Sequence, residues 1–260
     1  MADTAASFRV AADAYDRYVG RYGPDLSAGL IAAAGVRPGM RVLDVGCGPG
    51  ALATALARVV AEEAVAAVDP SETFVAACRA RLPAADIRLA AAEELPFADD
   101  TFDAALAQLV VNFMRDPGAG VREMARVTRP GGRVAACVWD YLEGMTLMRA
   151  FWDAATAIHP TAPDEGRAMP YAREGELARL LERAGLRDVR RGELTAHASY
   201  ASFADLAEPL GHGVGPAGAH YVSLAEGERA RLRADLQRRL GVGNGPFRLS
   251  ARAWLAVGTV

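Results

Sequence analysis

VLDVGCGPGALA, residues 42–53, is the stretch whose reading decides how this chain folds. A short apolar run enters glycines at every second position, 46, 48 and 50. A leucine- and alanine-rich helical period leaves them. Glycine is needed where a backbone turns sharply and lets a ligand approach closely. Strand, glycine turn and helix form the first half of a βαβ unit. Working outward, β-rich runs alternate with helical periods. The runs are RVLDV (41–45), AVAAV (64–68), DIRLA (86–90), DAALAQ (103–108) and GRVAACVW (132–139). Between them lie helical faces carrying Leu52/Leu56/Val59/Val60, Phe74/Val75/Cys78/Leu82 and Val121/Met124/Ala125. The alternation predicts a doubly wound, mostly parallel α/β sheet with right-handed crossovers.

The flanks read differently. Residues 5–19 predict a helix carrying Phe8, Ala11, Tyr15, Tyr18 and Val19. A second helix follows Pro24, with Leu26, Leu30 and Ile31 on one face and Gly35 as its stop. After Trp139 the rhythm breaks into an aromatic, Met-rich insertion, 141–171. GELARLLERAGL (175–186) is an amphipathic helix ending at Gly185. LRDVRRGELTAHA (186–198) and PFRLSARAWLAV (246–257) predict two more strands. Between them, 199–245 predicts a helical insertion: a short helix capped by Ser202, a glycine-rich loop at 211–217 and a charged helix at 223–240. The expectation is one domain of seven strands: a cap (1–40), a ligand-binding core (41–140) and a remainder (141–260) with two lids.

Composition narrows the class. The chain has 260 residues, a net charge of −3 and 52% hydrophobic residues, an ordinary globular balance. No run of 18 apolar residues predicts a membrane span, and the polar N-terminus does not read as a secretory signal. The mild negative charge and the lack of a stacking platform argue against nucleic acid as a partner. Cys47, Cys78 and Cys137 form no CxxC pair, so neither a disulfide framework nor a metal site is expected, and a reducing cytoplasm fits. All 29 cations are arginine. A lysine Schiff base and a Walker A lysine are therefore excluded.

The glycine turn formally matches a dinucleotide fingerprint at Gly46, Gly48 and Ala51. Asp44 argues against a pyrophosphate there. A carboxylate at the mouth of the loop repels a diphosphate and attracts an ammonium. Pro49 also removes a backbone N–H that a phosphate would want. A cationic cofactor bearing an amino acid, S-adenosylmethionine, fits better. Asp69 ends the second strand, 19 residues after Gly50, where a carboxylate suits two ribose hydroxyls. Both cofactor classes use that arrangement. An N-cap role for Asp69 competes with Ser71 for the following helix, and Pro70 would lie against the adenine face.

These residues resemble the class I S-adenosylmethionine-dependent methyltransferases, and among them the ubiquinone/menaquinone-biosynthesis branch. The likeness is carried by LDVGCGPG (43–50), VDPS (68–71), AEELPF (92–97), FDAALAQ (102–108) and REMARVTRPGGRV (122–134). It implies a Rossmann-like seven-stranded sheet with an antiparallel last strand. It further implies that Asp44, Gly46, Cys47 and Gly48 line the methionine moiety, with Asp69 on the ribose and Pro70 on adenine. Ala92 and Glu93 would lie beside the adenine edge. Ala91 stands where the family commonly has an aspartate, so backbone, water or Glu93 would hold the adenine amino group. Gln108 would lie near the sulfonium. Tyr15 and Tyr18 would close over the cofactor or simply pack in the core. Leu95, Pro96, Phe97 and the RPGG turn (129–132) read as fold markers.

Methyl transfer from a sulfonium is an in-line displacement, so the protein must align the nucleophile and exclude water. No base stands at a family-defined position. Asn112 and Phe113 occupy the stretch where the family often has histidine, and Asn112 could orient an acceptor without acting as a base. Among His159, His197, His212 and His220, the pair His212 and His220 flanks the glycine-rich segment. Tyr141 follows Trp139 and Asp140 at the carboxyl edge of the fifth strand. Phe113, Met114, Trp139, Tyr141, Met145, Met148, Phe151 and Trp152 either line an apolar acceptor pocket or form lid core. The expected partner is a small, partly apolar methyl acceptor. The alternatives are an NAD(P)-dependent oxidoreductase on the same winding and a non-catalytic cofactor-binding protein.

Overall fold

A computed structural model describes residues 19–213 and 215–260. The helix expected over 5–19, with Tyr15 and Tyr18, falls outside them except at its last position. Seven strands form one sheet: β1 (Val42–Val45), β2 (Val65–Asp69), β3 (Asp86–Leu89), β4 (Phe102–Gln108), β5 (Thr128–Trp139), β6 (Arg187–Tyr200) and β7 (Phe247–Thr259). Their order is β3-β2-β1-β4-β5-β7-β6. β1 to β5 pair in parallel. β7 runs antiparallel to both β5 and β6. The chain winds outward in both directions from β1, and such a reversal opens a crevice at the strands' carboxyl ends.

Every residue of β1 and β2 is buried, as expected for strands covered by helices on both faces. The first helices are α1 (Gly23–Ala34), α2 (Ala51–Val60), α3 (Glu72–Arg81) and α4 (Pro117–Val127). Their ends follow local chemistry. α1 stops at Gly35, whose φ of 69° is left-handed. Ser71 Oγ caps α3 by accepting from Phe74 N. Asp116 caps α4 by accepting from Ala119 N at 2.9 Å, ahead of Pro117 at the first helical position. On α2, Leu52, Leu56 and Val60 recur at helical spacing and are buried. Leu95 and Phe97 are buried too, with Phe97 edge-on to Phe102 at 5.0 Å, so that segment packs as expected.

Beyond β5 come α5 (Thr146–Ile158), α6 (Glu165–Ala168) and α7 (Glu176–Arg183). α8 (Phe203–Ala207), α9 (Gly215–Ser223) and α10 (Glu226–Leu240) fill the insertion between β6 and β7. Two expectations are corrected. The stretch 211–217 is not an open glycine-rich loop: a 3-10 turn spans Glu208–His212 and α9 begins at Gly215. Gly213 ends that turn with a left-handed φ of 69°, and Gly218 inside α9 packs against it: a Cβ on Gly218 would sit 2.7 Å from the Gly213 carbonyl carbon. β5 also begins at Thr128 rather than 132. A bulge lies between the pairs Phe102↔Thr128 and Ala104↔Arg133, so the Arg129–Gly132 turn is carried inside the strand.

Candidate active site

Asp44 sits near the carboxyl end of β1, between Ala67 of β2 and Leu106 of β4. It is 1% exposed, and neither carboxyl oxygen has a hydrogen-bond partner among the described residues. Burial pushes its pKa up to about 8, and the nearby Asp69 carboxylate adds to the rise. The Ala53 N–H pulls the other way without meeting hydrogen-bond geometry. A buried carboxyl with no partner is costly, on the order of 1–3 kcal/mol or more.

A small pocket opens beside it, lined by Gly20, Gly23, Asp44, Gly46, Cys47, Gly48, Pro49, Ala51, Leu52, Gln108 and Leu109. The structure thus brings together Asp44, Gly46, Cys47, Gly48 and Gln108 from the expected set. Ser27 Oγ donates to Gln108 Oε1 at 2.9 Å, holding that side chain from α1. The turn hangs from β2: the N–H groups of Gly46 and Cys47 both donate to Val68 O, at 2.8 and 2.9 Å. Gly46 must be glycine twice over. Its φ is 73°, and a Cβ would meet Val110 Cγ2 at 2.3 Å.

Asp69 takes two backbone donors. Oδ2 accepts from Gly48 N and Oδ1 from Ser71 N, both at 2.9 Å. Burial raises its pKa, while those two N–H groups oppose the rise. Ser71, not Asp69, is the N-cap of α3. Each Asp69 oxygen keeps a further lone pair, and Pro70 beside it is exposed. Ala92 is buried. Glu93 Oε1 accepts from Arg115 N at 2.7 Å and Asp116 N at 3.0 Å, so this carboxylate ties down the approach to α4.

None of His220, His212 and Tyr141 lines this pocket. His212 is exposed and lies 2.7 Å from Glu208 Oε1, one turn earlier. His220 leans on Trp152, ring centroids 5.6 Å apart; its Nε2 has no hydrogen-bond partner among the described residues, and burial lowers its pKa. His197 meets Asp25 Oδ2 through its backbone N–H and Nδ1, at 2.9 and 3.2 Å. His159 lies 3.0 Å from Glu228 Oε1. Tyr141 is buried, as are Trp139 of β5 and Met145, Met148, Phe151 and Trp152, and none of them lines this pocket.

Sequence reasoning missed four residues. Gly20 and Gly23 lie at the entry to α1 and carried no motif. Leu109 adopts φ 61°, a strained conformation for a non-glycine residue at a pocket wall. Glu165 on α6 is buried, accepts from Trp152 Nε1 at 3.2 Å, and has its pKa raised to about 7 by burial. Nothing in PDEGRA separates it from a solvated acid. Gly166 next to it rests on Tyr141, whose carbonyl would lie 2.8 Å from a Cβ. α6 therefore covers the end of β5. Among the described residues no cluster of three metal-binding side chains occurs.

A methyltransferase domain family matches residues 43–136, which span β1 to most of β5 with the glycine turn. The chain is 32% identical over 227 residues to an uncharacterized protein of Mycobacterium tuberculosis, covering 81% of this chain and 76% of that one. It is 38% identical over 138 residues to an uncharacterized methyltransferase of the same organism, covering 53% of this chain and 54% of that one. A methyltransferase domain thus occupies residues 43–136 of this chain. The chain also shares its fold with a solved protein of Anaeromyxobacter dehalogenans described as a type II methyltransferase. The TM-score there is 0.65 at 22% identity, covering 92% of this chain and 97% of that one. The family match stops within β5, so the lids that bury Tyr141 and Glu165 lie outside it.

Proposed function

We propose that this chain is a methyltransferase that uses S-adenosylmethionine to methylate a small, partly apolar acceptor. The carrying observation is Asp44: a buried carboxyl with no hydrogen-bond partner among the described residues, on the wall of a glycine-lined pocket. An ammonium is the group that would pair with it, and a diphosphate is the group it would repel. The Gly46–Gly50 turn would let the methionine moiety approach the backbone. Asp69 would take ribose hydroxyls on its remaining lone pairs, and exposed Pro70 would face adenine. Ala92 and the backbone around it would meet the adenine edge, with Glu93 held by its two N–H donors.

The cofactor supplies the activated methyl, and the protein's part is alignment and exclusion of water. The resemblance to the ubiquinone/menaquinone branch and the apolar lid over β4 and β5 support a partly apolar acceptor. Calorimetric titration with S-adenosylhomocysteine, with NAD(H) as control, tests the reading. Micromolar binding of S-adenosylhomocysteine alone is the expected result. Binding of the dinucleotide alone would overturn the assignment of Asp44.

A further inference from the structure

The 3-10 turn Val19–Tyr22 leads into α1 and carries part of the pocket wall. Gly20 and Gly23 line the pocket, and the two residues between them do not. Those two hold on to β6, the last strand of the sheet, and to α8 beyond it. Arg21 grips Asp205 of α8 with both nitrogens of its fork: Nη2 donates to Oδ1 at 2.5 Å and Nη1 to Oδ2 at 3.0 Å. Nη1 also donates to Ser199 O of β6 at 3.0 Å, and the guanidinium lies 4.8 Å from the Tyr200 ring centre. Tyr22 is fully buried and edge-on to Trp139, ring centroids 5.6 Å apart. Its hydroxyl oxygen lies 3.5 Å from that of Tyr200.

A bidentate guanidinium–carboxylate pair is strong and directional. This one is half-buried, with side chains 21% and 32% exposed, so water screens it less than a pair on the open surface. Asp205 is itself braced: Oδ2 also accepts from Ala201 N at 3.0 Å, and its own N–H donates to Ser202 Oγ at 3.2 Å. Asp25, in the first turn of α1, adds a second tie to β6 through His197. Asp205 lies outside the pocket lining and outside the matched region 43–136. A wall already held in place leaves a ligand less ordering to do on binding.

We propose that Asp205 is a positioning residue for the cofactor: through Arg21 it clamps the Val19–Tyr22 turn in place as pocket wall, so the insertion between β6 and β7 governs how long the cofactor stays bound. Asp205 acts through Arg21 and the backbone of Gly20, without lining the pocket itself. The proposal rests on the reading of this pocket as the S-adenosylmethionine site.

The test uses the full chain and S-adenosylhomocysteine, with association and dissociation rates measured by surface plasmon resonance. Asp205→Asn, Arg21→Gln and the double variant are compared with the wild type. Arg238→Gln, which opens an exposed pair with Asp235 on α10 of the same insertion, is the control. Dissociation is expected to speed about tenfold in each single variant, with association within about threefold of the wild type. The double variant should be no faster than the singles, because all three lose one and the same interaction. Dissociation within about twofold of the control in both single variants, or effects that multiply in the double variant, would overturn the proposal. Hydrogen–deuterium exchange of the wild type decides the matter should the variants misfold. S-adenosylhomocysteine should slow exchange at 201–206, outside the pocket, as it does at 20–23. Exchange at 201–206 slowed no more than along α10 would overturn the proposal. Failure of the wild type to bind S-adenosylhomocysteine would instead count against the cofactor reading.

Discussion

Asp44 couples ligand binding to protonation. With its pKa raised to about 8 by burial, it is mostly protonated in the free protein at pH 7. Pairing with an ammonium requires the carboxylate, so binding should release about one proton at pH 7 and almost none above pH 9. Calorimetry of S-adenosylhomocysteine in buffers of different ionisation enthalpy measures this directly. The same shift bears on stability. A carboxyl raised in the folded state favours folding while protonated, and that contribution is lost as pH climbs from about 4 to about 8. Asp44→Asn removes the charged form. It should raise the unfolding free energy on the order of 1–4 kcal/mol at pH 8, with little change below pH 4. Cofactor affinity should fall by roughly 1–3 kcal/mol in the same variant. Denaturant titrations at the two pH values, alongside the binding assay, check both directions.

At the scale of elements, α6 is the piece that long-range contacts must hold. Four residues cannot sustain a helix alone. Asp164, 4% exposed at its side chain, pairs with Arg149 Nη2 of α5 at 2.8 Å and with Arg167 Nε at 3.2 Å. Glu165 is fastened to Trp152, and Met169 to Asn112. Arg149→Met would leave Asp164 buried with one exposed partner, a loss of about 2–4 kcal/mol by analogy with broken buried pairs. The expected result is faster tryptic cleavage after Arg167 and Arg173, with S-adenosylhomocysteine affinity unchanged within about twofold, since α6 lies outside the Asp44 pocket. Unchanged cleavage would show that the remaining contacts suffice. Some of this was readable in advance. Ser71 as a cap, Gly35 as a stop and the amphipathic α2 depend on neighbours a few residues away. The stretch 211–217 misled because glycine marks helix ends as readily as open loops: Gly213 closes the 3-10 turn at φ 69° and Gly215 opens α9 at φ 63°.

For the whole molecule, the sheet reverses at β1 and gathers Asp44, the glycine turn and Gln108 into one pocket wall. A ligand bound there stabilises the folded state alone. At 100 times its dissociation constant S-adenosylhomocysteine should add about 2.7 kcal/mol. For a chain of this size that is a rise of several degrees in melting temperature. A thermal melt with NAD(H) at equal concentration should show no rise. What the sequence by itself determined is the winding: strand, glycine turn and helix repeat with local periods, and each signal lies within a dozen residues. The positions of Asp44, Asp69 and Gln108 at strand ends follow from the same periods. What only the tertiary structure decided is the state of those groups and the company they keep. Asp44 becomes hard to ionise because the assembled sheet and helices exclude water from it. Glu165 meets Trp152, and Asn112 meets Met169 across 57 residues of chain. Desolvation and long-range contact belong to the closed shape, and no local pattern encodes them.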